Sequence, residues 1–199
     1  MPCAFLVFCK QTAKHRPLSR LFSGTIFRLS AILPERTEPL MSAFSIRPAR
    51  REDTPVILEY IRRIAHYEKM DDQVIATEKG LETALFDRQE AFVLLAEEAG
   101  IPVGFALYFT DFSTFVGRSG LHLEDLYVDE EQRGKGYGKA LFQAVAAEAV
   151  RRGCQRMEWA CLDWNAPSIA FYRHMGADAM SDWTTYRLSG DAIVAAVAK

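Results

Sequence analysis

Arg133-Gly134-Lys135-Gly136-Tyr137-Gly138 lies between an apolar run, Leu121 to Val128, and a helical pattern, Lys139 to Arg152. Alternate glycines let a backbone turn tightly enough for several N–H groups to face one small space. The helix that follows adds its own unpaired N–H groups and the positive end of its dipole. Such a concavity suits phosphate. The spacing is not the G-x-G-x-x-G of a dinucleotide turn, and Gly136 rather than Ser or Thr follows Lys135, which disfavours a nucleoside triphosphate loop. The simpler reading is a glycine-rich joint between strand and helix.

Metal chemistry has less support. Cys3, Cys9, Cys154 and Cys161 form no C-x-x-C pair, and His15, His66, His122 and His174 show no ligand spacing, so no metal site is expected. Cys154 and Cys161 border or occupy an apolar run, where a reduced buried thiol is the ordinary outcome. With no clear export signal, this points to the cytoplasm.

The 199 residues, 49% hydrophobic and 25% charged, suffice for one core and suggest a single domain. No apolar run nears the roughly 20 residues that a membrane-spanning helix needs, so no membrane partner is expected. The net charge of −2 hides an asymmetry, because residues 1–40 carry six basic side chains against Glu35 and Glu38, leaving −6 to the remainder. An acidic body disfavours nucleic acid and suits a cationic substrate. The first 33 residues contain no acid and show no sustained period, so residues 1–40 read as an extension outside the domain at 41–199. Met41-Ser42-Ala43, directly before a strand, favours a start at Met41 over the alternative of an Arg- and Ser-bearing transit peptide.

Periodicity supplies the elements around the glycine loop. Phe44 to Pro48 reads as a strand, and Asp53 as the cap of a helix carrying Val56, Ile57, Tyr60, Ile61, Ile64 and Ala65 at helical spacing. A second helix begins near Thr77 and runs through Leu81, Leu85 and Phe86. Strands at Ala91–Glu97 and Val103–Thr110 are joined by a Gly100-Ile101-Pro102 turn. The central strand Leu121–Val128 leads through the loop into helix 139–152, ended by Gly153. Met157–Leu162 reads as a strand, Ser168–Met175 as a short helix with Pro167 in its first turn, and Trp183–Leu188 as a last strand. The expected class is α/β, a mixed sheet with helices on both faces.

Several ordered motifs now carry a resemblance. Arg133, Gly136 and Gly138 fit R-x-x-G-x-G, which resembles the pyrophosphate loop by which the GNAT N-acetyltransferase superfamily holds acetyl-CoA. Ile46-Arg47-Pro48-Ala49, Ala65-His66-Tyr67-Glu68-Lys69-Met70, Gln73-Val74 and Thr77-Glu78-Lys79 resemble the opening of the spermidine/spermine (diamine) acetyltransferases. Leu123-Glu124-Asp125, Trp164-Asn165-x-Pro167-Ser168-Ile169-x-Phe171-Tyr172 and Gly176-Ala177 follow in the same order. The resemblance spans nearly all of residues 44–190 and implies the GNAT fold with a splayed central strand.

It also implies a chemistry, in which an amine attacks the thioester of acetyl-CoA. Because a primary amine with a pKa of about 10.4 is protonated at neutrality, a base must take a proton. Glu124 matches the family's base, acting through a water. Leu126, Tyr127 and Val128 match the segment whose backbone N–H groups face the acetyl and pantetheine portions of the cofactor. Gly134, Lys135, Tyr137 and Lys139 belong to the same loop and helix start as Arg133, Gly136 and Gly138. Tyr172 matches the general acid for the departing thiolate. Asn165 and Ser168 can cap their helix or contact the cofactor. An acyl-enzyme through Cys161 is disfavoured, since no base pairs with it in the sequence.

Tyr67 and Glu68 match residues that bind the amine, with Asp71 and Asp72 adding negative charge nearby. Thr184, however, stands two residues before Tyr186-Arg187, where the polyamine enzymes carry an acid. This weakens spermine or spermidine and leaves shorter diamines, thialysine-like lysine analogues or another small amine. The alternatives are acetylation of a protein lysine or N-terminus, and a non-catalytic CoA-binding module. The resemblance further implies a homodimer.

Overall fold

A computed structural model describes residues 44–197. The expectations for residues 1–40, and for Cys3, Cys9 and His15 within them, lie outside the described residues.

The chain forms a five-stranded sheet in the order β1 (Phe44–Pro48), β2 (Phe92–Glu98), β3 (Ile101–Ser113), β4 (Arg118–Val128) and β5 (Met157–Glu158). The first four strands pair antiparallel, whereas β4 and β5 run parallel. Helices α1 (Thr54–Tyr67) and α2 (Glu78–Glu82, continued by a wider π-type turn at Thr83–Asp87) cover one face. Helices α3 (Tyr137–Arg151) and α4 (Ala166–His174) cover the other, and α5 (Asp191–Val197) follows near the C-terminus.

Two apolar layers hold this arrangement. Ile57 and Tyr60 of α1 meet Val93, Leu95, Phe105 and Leu107 on one face. Leu141 and Val145 of α3 meet Ala106, Leu121 and Leu123 on the other, joined by Phe171 and Tyr172 of α4. Full burial of each such aliphatic side chain contributes about 1.5–3 kcal/mol. The mixed sheet with helices on both faces is therefore as expected.

Several local expectations need correction. The β2–β3 turn is Ala99-Gly100, with φ of 52° and 78°, so Ile101 and Pro102 already belong to β3. Two left-handed residues match the twist of a hairpin better than a longer loop does. Asp53 stands at the N-cap of α1, but its carboxylate accepts from Arg47 Nη1 at 2.7 Å and from the Arg50 N–H at 2.7 Å, not from the helix. A guanidinium across the strand end outcompetes the helix amides. Thr77 caps α2 as expected, its Oγ1 accepting from the Gly80 N–H at 3.1 Å.

The two late strands differ more. Only Met157 and Glu158 of the expected 157–162 strand pair with β4, at Leu121 and His122. No strand forms at 183–188, where Trp183 and Tyr186 are exposed. Apolar alternation specifies which face a strand would bury, but a ladder also requires a neighbour for its N–H and C=O groups. Beyond Glu158 none is present among the described residues.

Candidate active site

The glycine loop starts where β4 ends. Gly134 and Gly136 have φ of 80° and 87°, conformations that residues with a Cβ rarely adopt. Gly138 does not, because it already lies in the first turn of α3. Gly136 is the N-cap, and the Ala140 N–H is the first to bond back, to the Gly136 carbonyl at 3.0 Å. The amides of Tyr137, Gly138 and Lys139 thus form the open positive end of a 15-residue helix. This donor set fits a pyrophosphate.

Side chains around the loop fix it in place. The Tyr137 ring stacks on Phe44 at 4.1 Å and its hydroxyl donates to Glu98 at 2.5 Å, so this side chain serves the core. Lys135 reaches Glu98 at 3.0 Å and Gln132 at 2.6 Å. Arg133 turns back, donating from Nε to the Val128 carbonyl at 3.1 Å, with its guanidinium over the rings of Tyr67 and Tyr127. Lys139 is exposed in the first helical turn.

The central strand is bulged where its chemistry is expected. Leu123 pairs with Tyr108 and Asp125 with Leu107, leaving Glu124 as the extra residue. The insertion changes which face each later residue meets. Leu126 and Val128 join Leu121 and Leu123 on the α3 face, whereas Tyr127 packs on the α1 face. Because the β4–β5 ladder stops at His122, the edge from Leu123 to Val128 has no strand beside it among the described residues. That is the splay expected of this strand. On the other side, β3 comes so close that a Cβ at Gly104 would lie 2.6 Å from the Tyr127 carbonyl oxygen.

Acidic groups gather beside this open edge. Glu68, at the C-terminal end of α1, has its pKa raised by partial burial and then by the charge of Glu124. Burial, followed by the charges of Glu124 and Glu68, pushes Asp125 up to about 7. Glu124 is exposed, with Oε2 3.6 Å from His122 Nε2. The Tyr172 phenol is pushed up to about 12, mainly by burial, with contributions from Cys161 and Glu68. Its ring packs on Phe142, Trp159 and Phe171. Burial also raises the Cys161 thiol, helped by Glu68 and Asp163, and a protonated thiol is a poor nucleophile.

The C-terminal end of α1, the bulge of β4, helix α4 and the segment after β5 therefore meet around Glu68, Glu124, Asp125, Cys161 and Tyr172. A latch joins two of them, the Tyr67 hydroxyl donating to Asn165 Oδ1 at 3.1 Å. The same oxygen accepts from the Ser168 N–H at 3.3 Å, so Asn165 caps α4 and Ser168 supplies the capped amide. Tyr67 also faces Trp164, with centroids 5.8 Å apart. Thr184 is exposed in the segment that lacks strand partners. Asp71 pairs with His66 at 2.9 Å.

Asp125 is the residue to which sequence reasoning assigned no role. Only the bulge, which one sequence does not reveal, turns it toward Glu68. Its raised pKa has a measurable consequence. An unfolded Asp titrates near 3.9, so the folded state binds this proton more tightly, and ionising the carboxyl costs stability as pH rises from about 4 to about 7. Asp125→Asn removes that cost. The variant is expected to be more stable than the parent by about 2–4 kcal/mol at pH 8. The gap should shrink by more than half at pH 5, as read from urea midpoints; an equal gap at both pH values would contradict the burial argument.

Among the described residues, no group of three or more His, Cys, Asp or Glu side chains is arranged to hold a metal ion, and no helix is long and apolar enough to cross a membrane.

Comparison with known proteins bears on this geometry. The family model "Acetyltransferase (GNAT) family" matches residues 55–177. The thialysine N-epsilon-acetyltransferase of Sus scrofa is 36% identical, covering 77% of this chain and 96% of its own length. The L-ornithine N5-acetyltransferase of Arabidopsis thaliana is 31% identical, covering 82% of this chain and 92% of its own. An integron cassette protein from V. cholerae superposes with a TM-score of 0.66 at 24% identity, over 80% of this chain and 99% of its own, a likeness of fold. An aminoglycoside acetyltransferase from a soil metagenome does so at 0.63 and 20% identity, over 73% and 97%. With residues 55–177 matched, more than half of the chain, it belongs to the GNAT family and is an N-acetyltransferase similar to thialysine N-epsilon-acetyltransferases and to a spermidine/spermine N(1)-acetyltransferase-like protein.

Proposed function

We propose that this protein transfers the acetyl group of acetyl-CoA to a primary amine of a small aliphatic diamine or lysine-like compound, by direct attack in a ternary complex. The observation that carries this reading is the group of three carboxylates, Glu68, Glu124 and Asp125, beside the open edge of β4 that leads into the glycine loop. The amides at the head of α3 would take the pyrophosphate, together with Arg133 and Lys139. Backbone N–H groups between Leu126 and Val128 would face the acetyl and pantetheine portions. Thioester and amine would then meet next to Glu124.

Glu68 and Asp125 seat the cationic acceptor, since an ammonium group beside them offsets the burial, and then the mutual repulsion, that raise both pKa values. Glu124 takes the proton, and the Tyr172 phenol, protonated throughout the working pH range, supplies one to the leaving sulfur. Tyr67, held by Asn165, shapes the wall between acceptor and cofactor. The curated relatives named for thialysine and ornithine support an acceptor of this size. The family resemblance supports a homodimer as the working unit.

The test is release of free thiol from acetyl-CoA with a panel of putrescine, spermidine, ornithine, thialysine and a lysine-bearing peptide. Turnover with one or more of the small amines is expected. Turnover with the peptide alone would favour a protein acetyltransferase. CoA binding without any turnover would favour a non-catalytic module.

A further inference from the structure

The bulge that exposes Glu124 also deprives it of a fixed place in the sheet. As the unpaired residue, it lies between the pairs Leu123–Tyr108 and Asp125–Leu107. Its orientation therefore depends on what holds its side chain. Among the described residues, one side chain makes an ion-pair or hydrogen-bond contact with that carboxylate: His122, from Nε2 to Oε2 at 3.6 Å. The imidazole is itself held, stacked on Phe109 with centroids 4.9 Å apart and planes 23° from parallel. It also occupies the last position of the β4–β5 ladder, opposite Glu158. His122 thus stands where the two strands part, with its ring partly open to solvent and the proposed base within reach.

We infer that His122 is a positioning residue for the reaction, holding the Glu124 carboxylate toward the acceptor and making its basicity depend on the charge of the ring. The inference rests on the proposed role of Glu124. A neutral ring 3.6 Å from the carboxylate restrains it by contact, and a small closing of that gap brings an Nε2 proton into donating range. A protonated ring adds a positive charge that stabilises the carboxylate and lowers its affinity for the substrate's proton. Activity should therefore fall as His122 becomes protonated. The charged residues beside this ring are Glu124 on its own strand and Glu158, its register partner on β5, which pairs in turn with Arg156 and through it with Asp111 on β3.

Two variants and one spectroscopic measurement test the inference. His122→Phe keeps an aromatic ring over Phe109 but removes the contact, and His122→Gln keeps a donor that does not titrate. Misplacing a reacting group by about an ångström can lower turnover on the order of a hundredfold, and His122→Phe is expected to lose about tenfold to a hundredfold in kcat/KM for the amine. Its KM for acetyl-CoA should stay within about twofold of the parent's, because uniform cofactor binding is untouched. His122→Gln should regain most of the rate, with a flatter acid limb in its pH profile. Asp125 titrates in all three proteins, so the difference between profiles isolates His122.

Equal rates in all three proteins, or equal losses in both variants with the parent's pH profile, would overturn the inference. A through-space NMR contact between the His122 ring protons and the Glu124 side chain supplies a readout independent of turnover. The parent should show it, and its absence would refute the contact even in a protein that acetylated no amine tested.

Discussion

Glu124→Gln is expected to lower kcat/KM for the amine by about 10²–10⁴ at pH 7, the range attributable to a positioned general base. The KM for acetyl-CoA should hardly change, because the loop and helix end that would take the pyrophosphate follow β4, whereas Glu124 sits at the bulge within it. The deficit should narrow as pH rises toward the amine's own pKa of about 10.4, where solvent has already removed the proton. Initial rates at pH 7 and pH 9.5 with a fixed, saturating cofactor concentration measure this. A deficit of the same size at both pH values would show that the carboxylate binds substrate and takes no proton. The same variant should lower the Asp125 pKa, since the Glu124 charge is one of the groups that raise it.

Tyr172→Phe is expected to lower kcat by about tenfold to a hundredfold, at or below the low end of general acid catalysis. The smaller figure follows from the leaving group, because a thiol with a pKa near that of Cys, about 8.5, departs with less help than an alcohol or amine. Burial holds the phenol protonated up to about pH 12, so the parent should show no alkaline limb from this group below about pH 11. Phe retains the contacts with Phe142, Trp159 and Phe171, and the thermal midpoint should move little. Stopped-flow detection of released CoA separates chemistry from product release. Parent-like single-turnover rates would remove Tyr172 from the mechanism.

The residues expected to do chemistry were legible to different depths. The turn at Gly134 and Gly136 and the helix end were readable because local backbone preference decides them. The start of α2 at Thr77 was readable for the same reason, whereas Asn165 stood open between helix cap and cofactor contact until the fold showed it capping α4, and Asp53 was diverted by Arg47, a residue that only folding brings near. Glu68, Glu124 and Tyr172 were found through resemblance to a family. Nothing in their spacing predicts that the end of α1, the bulge of β4 and helix α4 meet. The role of Asp125 and the neighbourhood of Cys161 could not be read, since both depend on where β4 bulges and where β5 stops.

The sequence by itself determined the order of elements, the apolar faces that a sheet and its helices must bury, and the phosphate-sized turn, because periodicity and glycine conformation act over a few neighbouring residues. Tertiary structure alone decided that β5 would be two residues long, that residues 183–188 would have no ladder partner among those described, and that Glu124 would be the extra residue in its strand. A ladder exists only if another strand offers its hydrogen bonds. A carboxylate's proton affinity depends on charges that the fold, not the chain order, brings to its side.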